Sequence, residues 1–158
     1  MADIIKEIEK ICFNQDFSLE RKIIHKQTLD KIKIYLENNR FKTILECRLC
    51  FKSFSQYHKI MEDRVGYIDL VAQNEIEKIA IELDSGMHLK YKSIEKLLQS
   101  GYDILIGIIR GDIRDNNLMS ENIERIKKIP NPNFKKITLI VMANKITSEI
   151  TGSQKDSP

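Results

Sequence analysis

A chain of 158 residues, 42% hydrophobic and 31% charged, is long enough for one domain with a real core, and its ordinary composition excludes the fibrous, disordered and disulfide-framed classes. The net charge of +3 and pI near 8.7 permit a nucleic-acid partner without demanding one. No apolar run approaches the roughly 20 residues that span a bilayer, so no membrane partner is expected.

Residues 2–12 place Ile4, Ile5, Ile8 and Ile11 at helical spacing, with lysines and glutamates between them. Asn14-Gln15-Asp16 breaks this helix. Ser18, followed by Glu20 and Arg21, reads as the start of a second one, which runs to Asn38 with Ile24, Leu29, Ile32 and Leu36 on its buried stripe. The next stretch, residues 41–51, reads as a strand with Ile44, Glu46 and Arg48 on one face and Leu45, Cys47 and Leu49 on the other. Residues 52–63 are polar and aromatic, and are expected to form a loop between paired strands. Two strands follow, at 64–72 and 78–84, separated by the turn-like Gln73-Asn74-Glu75.

Ser85-Gly86 stops the second of these strands. Residues 91–100 show Ile94, Leu97 and Leu98 on one helical face, closed by Gly101. Residues 102–109 are a nearly unbroken apolar strand of the kind buried on both faces of a sheet. A polar loop leads to a helix from Ser120 to Ile129, then a break at Pro130-Asn-Pro-Asn133, then a last strand at 136–143. Residues 146–150 are read as a helical turn, and 151–158 as a polar, disordered tail after a single domain spanning 1–150. The order predicts one α/β domain, a mixed central sheet flanked by helices.

The three cysteines, Cys12, Cys47 and Cys50, have no framework spacing, and the charged start MADIIKEIEK does not read as a secretory leader; a reducing, cytoplasmic location is expected. Cys47-Arg-Leu-Cys50 has the spacing of a zinc knuckle but no second ligand pair, and residues three apart in a strand face opposite sides.

The informative anomaly lies in two apolar strands, VGYIDLVA and KIAIELDS, where Asp69, Glu82 and Asp84 stand among residues that should be buried. Carboxylates are costly to bury unless something positive meets them. Glu82 and Asp84, two apart, leave the same face of their strand, and a hairpin can bring Asp69 alongside. Converging hard oxygen donors suit Mg²⁺ or Mn²⁺ better than zinc, and such an ion equips a site for phosphodiester hydrolysis.

A strand with Asp, a turn, a strand with Glu-x-(Lys), then helix and strand resembles the PD-(D/E)xK nuclease superfamily, over residues 20–143. The resemblance implies a restriction-endonuclease-like αβββαβ core and a metal-dependent endonuclease acting on DNA. It implies Asp69 and Glu82 as metal ligands, with Glu20 as the matching acid of the first core helix. The sequence departs from the motif at Asp84, where its lysine should stand. Some members carry that lysine on the following helix, which here offers Lys96 and Lys92. Lys96 better matches the polar position that other members direct toward the site.

Each residue also has a plainer reading. Asp69 could pair with Arg64 or Arg48, Asp84 could cap the next turn, and Glu46 could pair with Arg48 or join the site across the sheet. Lys92 and Lys96 point roughly opposite the Ile94/Leu97/Leu98 stripe, which suits solvent as well as a site. His25 and His88 have no partner arrangement in the sequence, and Gly107 and Gly111 form no phosphate-cradling loop. Phosphate contacts would come from Lys90, Lys92, Lys96, Arg110, Arg114 and the basic helical stretch RKIIHK; a homodimer would supply two sites for the two strands of a duplex. The competing readings are a nuclease-like nucleic-acid-binding or assembly protein without activity, signalled by the missing lysine, and a plain α/β interaction domain.

Overall fold

The computed structural model describes residues 3–55, 59–129 and 136–151. Two helices come first, α1 (Ile4–Phe13) and α2 (Arg21–Asn38), and the predicted stripe of α2 is buried as expected: Ile24, Leu29, Ile32 and Leu36 all face the core. The strands are β1 (Lys42–Ser55), β2 (Ile60–Gln73), β3 (Lys78–Asp84), β4 (Ile104–Ile109), β5 (Lys136–Val141) and β6 (Ile146–Thr151), with α3 (Tyr91–Gln99) between β3 and β4 and α4 (Leu118–Lys127) between β4 and β5. They form one mixed sheet in sequential order, β1 to β6. The pairs β1/β2, β2/β3 and β5/β6 are antiparallel; β3/β4 and β4/β5 are parallel, as a helical crossover requires.

Alternation along the strands divides the core in two. Ile79, Ile81, Leu83, Ile106, Ile108 and Ile140 pack with α1 and α2 on one face. Ala80, Leu105, Leu139 and Val141 pack with Ile94 and Leu97 of α3 and Leu118 and Ile126 of α4 on the other. The result is a single-domain α/β fold with the sheet flanked by helices. Among the described residues, no helix is long and apolar enough to cross a membrane.

Three expectations are corrected. Residues 52–55 and 60–63 are not loop: β1 and β2 continue through them in register, pairing Lys52 with Asp63, Ser53 with Glu62 and Phe54 with Met61. The polar side chains that suggested a loop are accommodated because Phe51 and Ser53 turn inward, under α3, while Lys52 and Phe54 face solvent. Residues 56–58 lie outside the described residues, as do the predicted break at 130–133 and the tail beyond Thr151. Residues 146–150 are not a helical turn but the edge strand β6, with Ile150 buried opposite Ile137. Finally, Ile44, Glu46 and Arg48 do not form one regular face. Glu46 takes a left-handed φ of 52° and drops out of the β1/β2 ladder, which leaves Ile44 and Leu45 both exposed.

Candidate active site

The site forms where β2 and β3 part. Their backbone ladder covers Leu70–Gln73 against Lys78–Ile81 and goes no further, whereas β3 stays paired with β4 through Asp84. At the parting point β2 changes face. Ile68 belongs to the cluster under α3 and Leu70 to the cluster under α2, although residues two apart in a regular strand share a face.

Two carboxylates take over from the missing ladder. The Leu83 N–H donates to Asp69 Oδ2 at 2.8 Å, and the Asp69 N–H donates to Glu82 Oε1 at 3.3 Å. Each acid thus binds the backbone of the other's strand. Glu82 is 2% exposed, and its neutralising partner is Lys96, whose Nζ lies 2.8 Å from Glu82 Oε1 and also donates to the Tyr67 carbonyl at 2.7 Å. Lys96 therefore points into the cleft rather than to solvent, with its side chain 14% exposed. The aliphatic wheel alone left that open.

The electrostatics follow from this crowding. Burial, and then the negative charge of Asp69, push the Glu82 carboxyl up to about 7 against the opposing pull of Lys96 and Ser93. Asp69 is raised as well, mainly by burial, with the Leu83 N–H, His25 and Lys96 working the other way. Two desolvated acids share one close ammonium, so the cluster retains uncompensated negative charge whenever both are ionised.

Asp84 lines the same cleft and is bonded to the residue that precedes α3. Its Oδ2 accepts the Lys90 N–H at 2.7 Å, just ahead of α3, and Oδ1 lies 3.7 Å from Lys90 Nζ. This is the capping role, in the place where helix N-termini favour negative charge. The intervening loop is held firmly. Buried Asn122 of α4 accepts from the Leu89 N–H and donates to the Met87 carbonyl, Arg125 donates to the Leu89 carbonyl, and its guanidinium lies 4.1 Å from the centre of the Tyr91 ring. Gly107 makes room for this loop, since a Cβ there would sit 2.8 Å from Leu89 Cδ2.

The cleft, roughly 430 Å³, is lined by Asp69, Glu82, Asp84, Lys92 and Lys96, and also by Arg21, His25, Lys90 and Ser93. The structure thus brings together Asp69, Glu82 and Lys96, puts Asp84 and Lys92 beside them, and leaves Glu20 out, exposed one residue ahead of α2. Glu46 is exposed and lines no part of the cleft. Arg110 and Arg114 do not line it either: Arg110 donates to the Phe17 and Gly111 carbonyls, and Arg114 is doubly bonded to Asp112. Neither Arg64 nor Arg48 pairs with Asp69; Arg64 lies 2.7 Å from Glu62 instead.

His25 has no partner arrangement legible in the sequence and no place in the site predicted from it. Its Nε2–H donates to the Leu83 carbonyl at 2.9 Å and lies 3.9 Å from Asp69 Oδ2, closing the α2 side of the cleft. Nothing local marks it, because its partners lie in strands far along the chain. The basic stretch containing Arg21 was the only signal for this wall. Cys47 is half-buried and Cys50 exposed, both free thiols.

No protein-family model, curated protein or solved structure matches this chain. The chemistry must therefore be judged from the donors. Among the described residues, no three His, Cys, Asp or Glu side chains gather closely enough to form a metal cage. Magnesium seldom needs one, since it keeps several waters and usually takes one or two carboxylates plus substrate phosphate oxygens. Asp69 and Glu82 offer that donor set, and their shared excess of negative charge is what a hard divalent ion offsets.

Proposed function

We propose that this protein is a metal-dependent endonuclease that hydrolyses phosphodiester bonds in DNA, with Asp69 and Glu82 as the ligands of Mg²⁺ or Mn²⁺. The observation that carries the reading is the meeting of these two desolvated acids at the parting of β2 and β3, with Lys96 Nζ 2.8 Å from Glu82. The run α2, β1, β2, β3, α3, β4 is read as the αβββαβ core of the PD-(D/E)xK nucleases, with the motif's lysine supplied by α3 instead of position 84. When bound, the ion would lower the pKa of a water and neutralise charge growing on the phosphate.

The chain's own groups have separate tasks. Asp69 and Glu82 hold charge at the point where β3 opens. Lys96, with two of its three N–H groups on Glu82 and the Tyr67 carbonyl, presents the remaining one to a phosphate oxygen or attacking water. Asp84 fixes the start of α3 and adds negative charge near Asp69. Arg21, Lys90 and Lys92 on the rim would meet backbone phosphates, which position nucleic acid without reading its sequence. A homodimer would give one cleft for each strand of a duplex.

A second reading is favoured by Asp84, which stands at the motif's lysine position and is engaged by the Lys90 N–H: a nuclease-like nucleic-acid-binding or assembly protein without catalysis. One assay separates the two. Supercoiled plasmid is incubated with the protein and Mg²⁺ or Mn²⁺. Nicking or linearisation that disappears in Asp69→Ala and Glu82→Ala supports the endonuclease. Salt-dependent DNA binding without cutting supports the second reading, and neither cutting nor binding removes both.

A further inference from the structure

Helix α3 grips the β1–β2 ribbon on the same turns that aim Lys96 into the cleft. The outer half of this ribbon extends beyond the end of β3, so among the described residues no third strand pairs with β2 there. Helix α3 ties itself instead to the other strand of the ribbon, β1. Gln99 accepts the Lys52 N–H at 2.7 Å and donates to the Lys52 carbonyl at 2.7 Å, the paired bonds that a neighbouring strand would make. Glu95, 7% exposed, accepts from Ser53 Oγ at 3.0 Å and from the Phe54 N–H at 3.3 Å. Lys96 follows Glu95 directly and bonds the Tyr67 carbonyl on the other strand of the ribbon as well as Glu82. Its stem runs beside Gly66, where an added Cβ would lie 3.3 Å from Lys96 Cδ and 3.0 Å from Phe51 Cε1.

We infer that Glu95 and Gln99 are positioning residues for Lys96, so that the ribbon and α3 form one clasp setting where the ammonium stands relative to Glu82. A lysine has four rotatable carbons and strong hydration, and nothing in its own chemistry confines it. Confinement comes from fixing both the rotation of α3 and the position of the Tyr67 carbonyl. The clasp fixes both, because Gln99 and Glu95 tie the helix to β1 while β1 carries β2 in register. A buried carboxylate at position 95 is explained by this role, since it is the acceptor that holds the ribbon's polar inner face. The inference rests on the proposed role of Lys96 in hydrolysis only for its catalytic consequence; the geometry of the clasp does not depend on it.

Two measurements test it on Gln99→Ala, Glu95→Ala and Glu95→Gln. The first is the extent of acylation of Lys96 against Lys92 in the metal-free protein, read by peptide mass spectrometry. The second is kcat and KM for plasmid cleavage with Mg²⁺. In Gln99→Ala and Glu95→Ala, labelling of Lys96 should rise several-fold while Lys92 stays constant, and kcat should fall about tenfold with little change in KM. Glu95→Gln, which keeps an acceptor, should remain near wild type in both. Unchanged labelling of Lys96 in folded Gln99→Ala overturns the inference, and this exposed site carries the test if Glu95→Ala does not fold. If labelling changes as described but no protein, wild type included, cuts DNA, the clasp stands and the nuclease reading falls.

Discussion

From Ile79 to Ile81, β3 is bonded by backbone on both edges; from Glu82 to Asp84, it keeps only the β4 edge, and side chains serve the other. Both halves are equally buried. The first half needs only apolar side chains, because every N–H and C=O already has a partner. The second half has lost one ladder, and side chains replace it: Asp69 of β2 serves the Leu83 N–H, His25 of α2 the Leu83 carbonyl, and Glu82 the Asp69 N–H. A carboxylate used this way is held in place before any ligand arrives. The polar half is therefore both structurally necessary and electrostatically unbalanced, and the imbalance is concentrated beside an open cleft.

The largest way to break this contrast is to remove the ammonium paired with Glu82. Lys96→Met should destabilise the metal-free protein by roughly 3 to 5 kcal/mol at about pH 8, because buried Glu82 loses its counter-ion and must either stay charged without it or take up a proton. The cost should shrink near pH 5, where Glu82 holds its proton. Urea denaturation at the two pH values measures the difference, and equal losses at both would mean that the pair is not what holds Glu82.

The wild-type protein should show the imbalance itself. Glu82 keeps its proton to about 7 when folded, against an ordinary value of 4.5, so the folded state is favoured at low pH. That advantage is lost as pH rises from about 4.5 through 7, at a cost of roughly 3 kcal/mol, and raised Asp69 acts in the same direction. Glu82→Gln should flatten this decline, and adding Mg²⁺ should restore stability above pH 7 but not near pH 5. An identical pH profile in Glu82→Gln would assign the decline to other groups.

A smaller effect sharpens the comparison on the β4 side. Gly107 pairs with Glu82 across the parallel ladder, and Gly107→Ala pushes a methyl into Leu89. Because the obstacle is the end of a side chain, the loss should be about 1 to 2 kcal/mol, read as a lowered melting temperature. Leu89 would shift and take Lys90, and hence the Asp84 contact, with it.

Much of the closed half was legible in the sequence. The runs KIAIELD, DILIGII and KITLIV carry their own period and length, and the helices between them have clear apolar stripes. Asp69, Glu82 and Asp84 stood out because a charge in a buried strand contradicts its neighbours. What stayed hidden depends on partners far along the chain. The outer ribbon looked like loop because Ser53 is satisfied by Glu95, and Lys52 by Gln99, from a helix some forty residues on. Residues 146–150 have isoleucines four apart, a spacing that serves one face of a helix or of a strand equally; pairing with β5 decided it. His25 belongs to the same class, since only the fold brings it to the Leu83 carbonyl.

The measurement that bears most directly on the open half of β3 is a titration of Mn²⁺ into the protein at about pH 8, following the free ion by electron paramagnetic resonance. Wild type should take up one ion, with binding abolished in Asp69→Ala and Glu82→Gln and unchanged in Asp63→Asn, an exposed acid of the ribbon. Absence of uptake by folded wild-type protein, or uptake that survives loss of both Asp69 and Glu82, would contradict the assignment of these acids as a cation site.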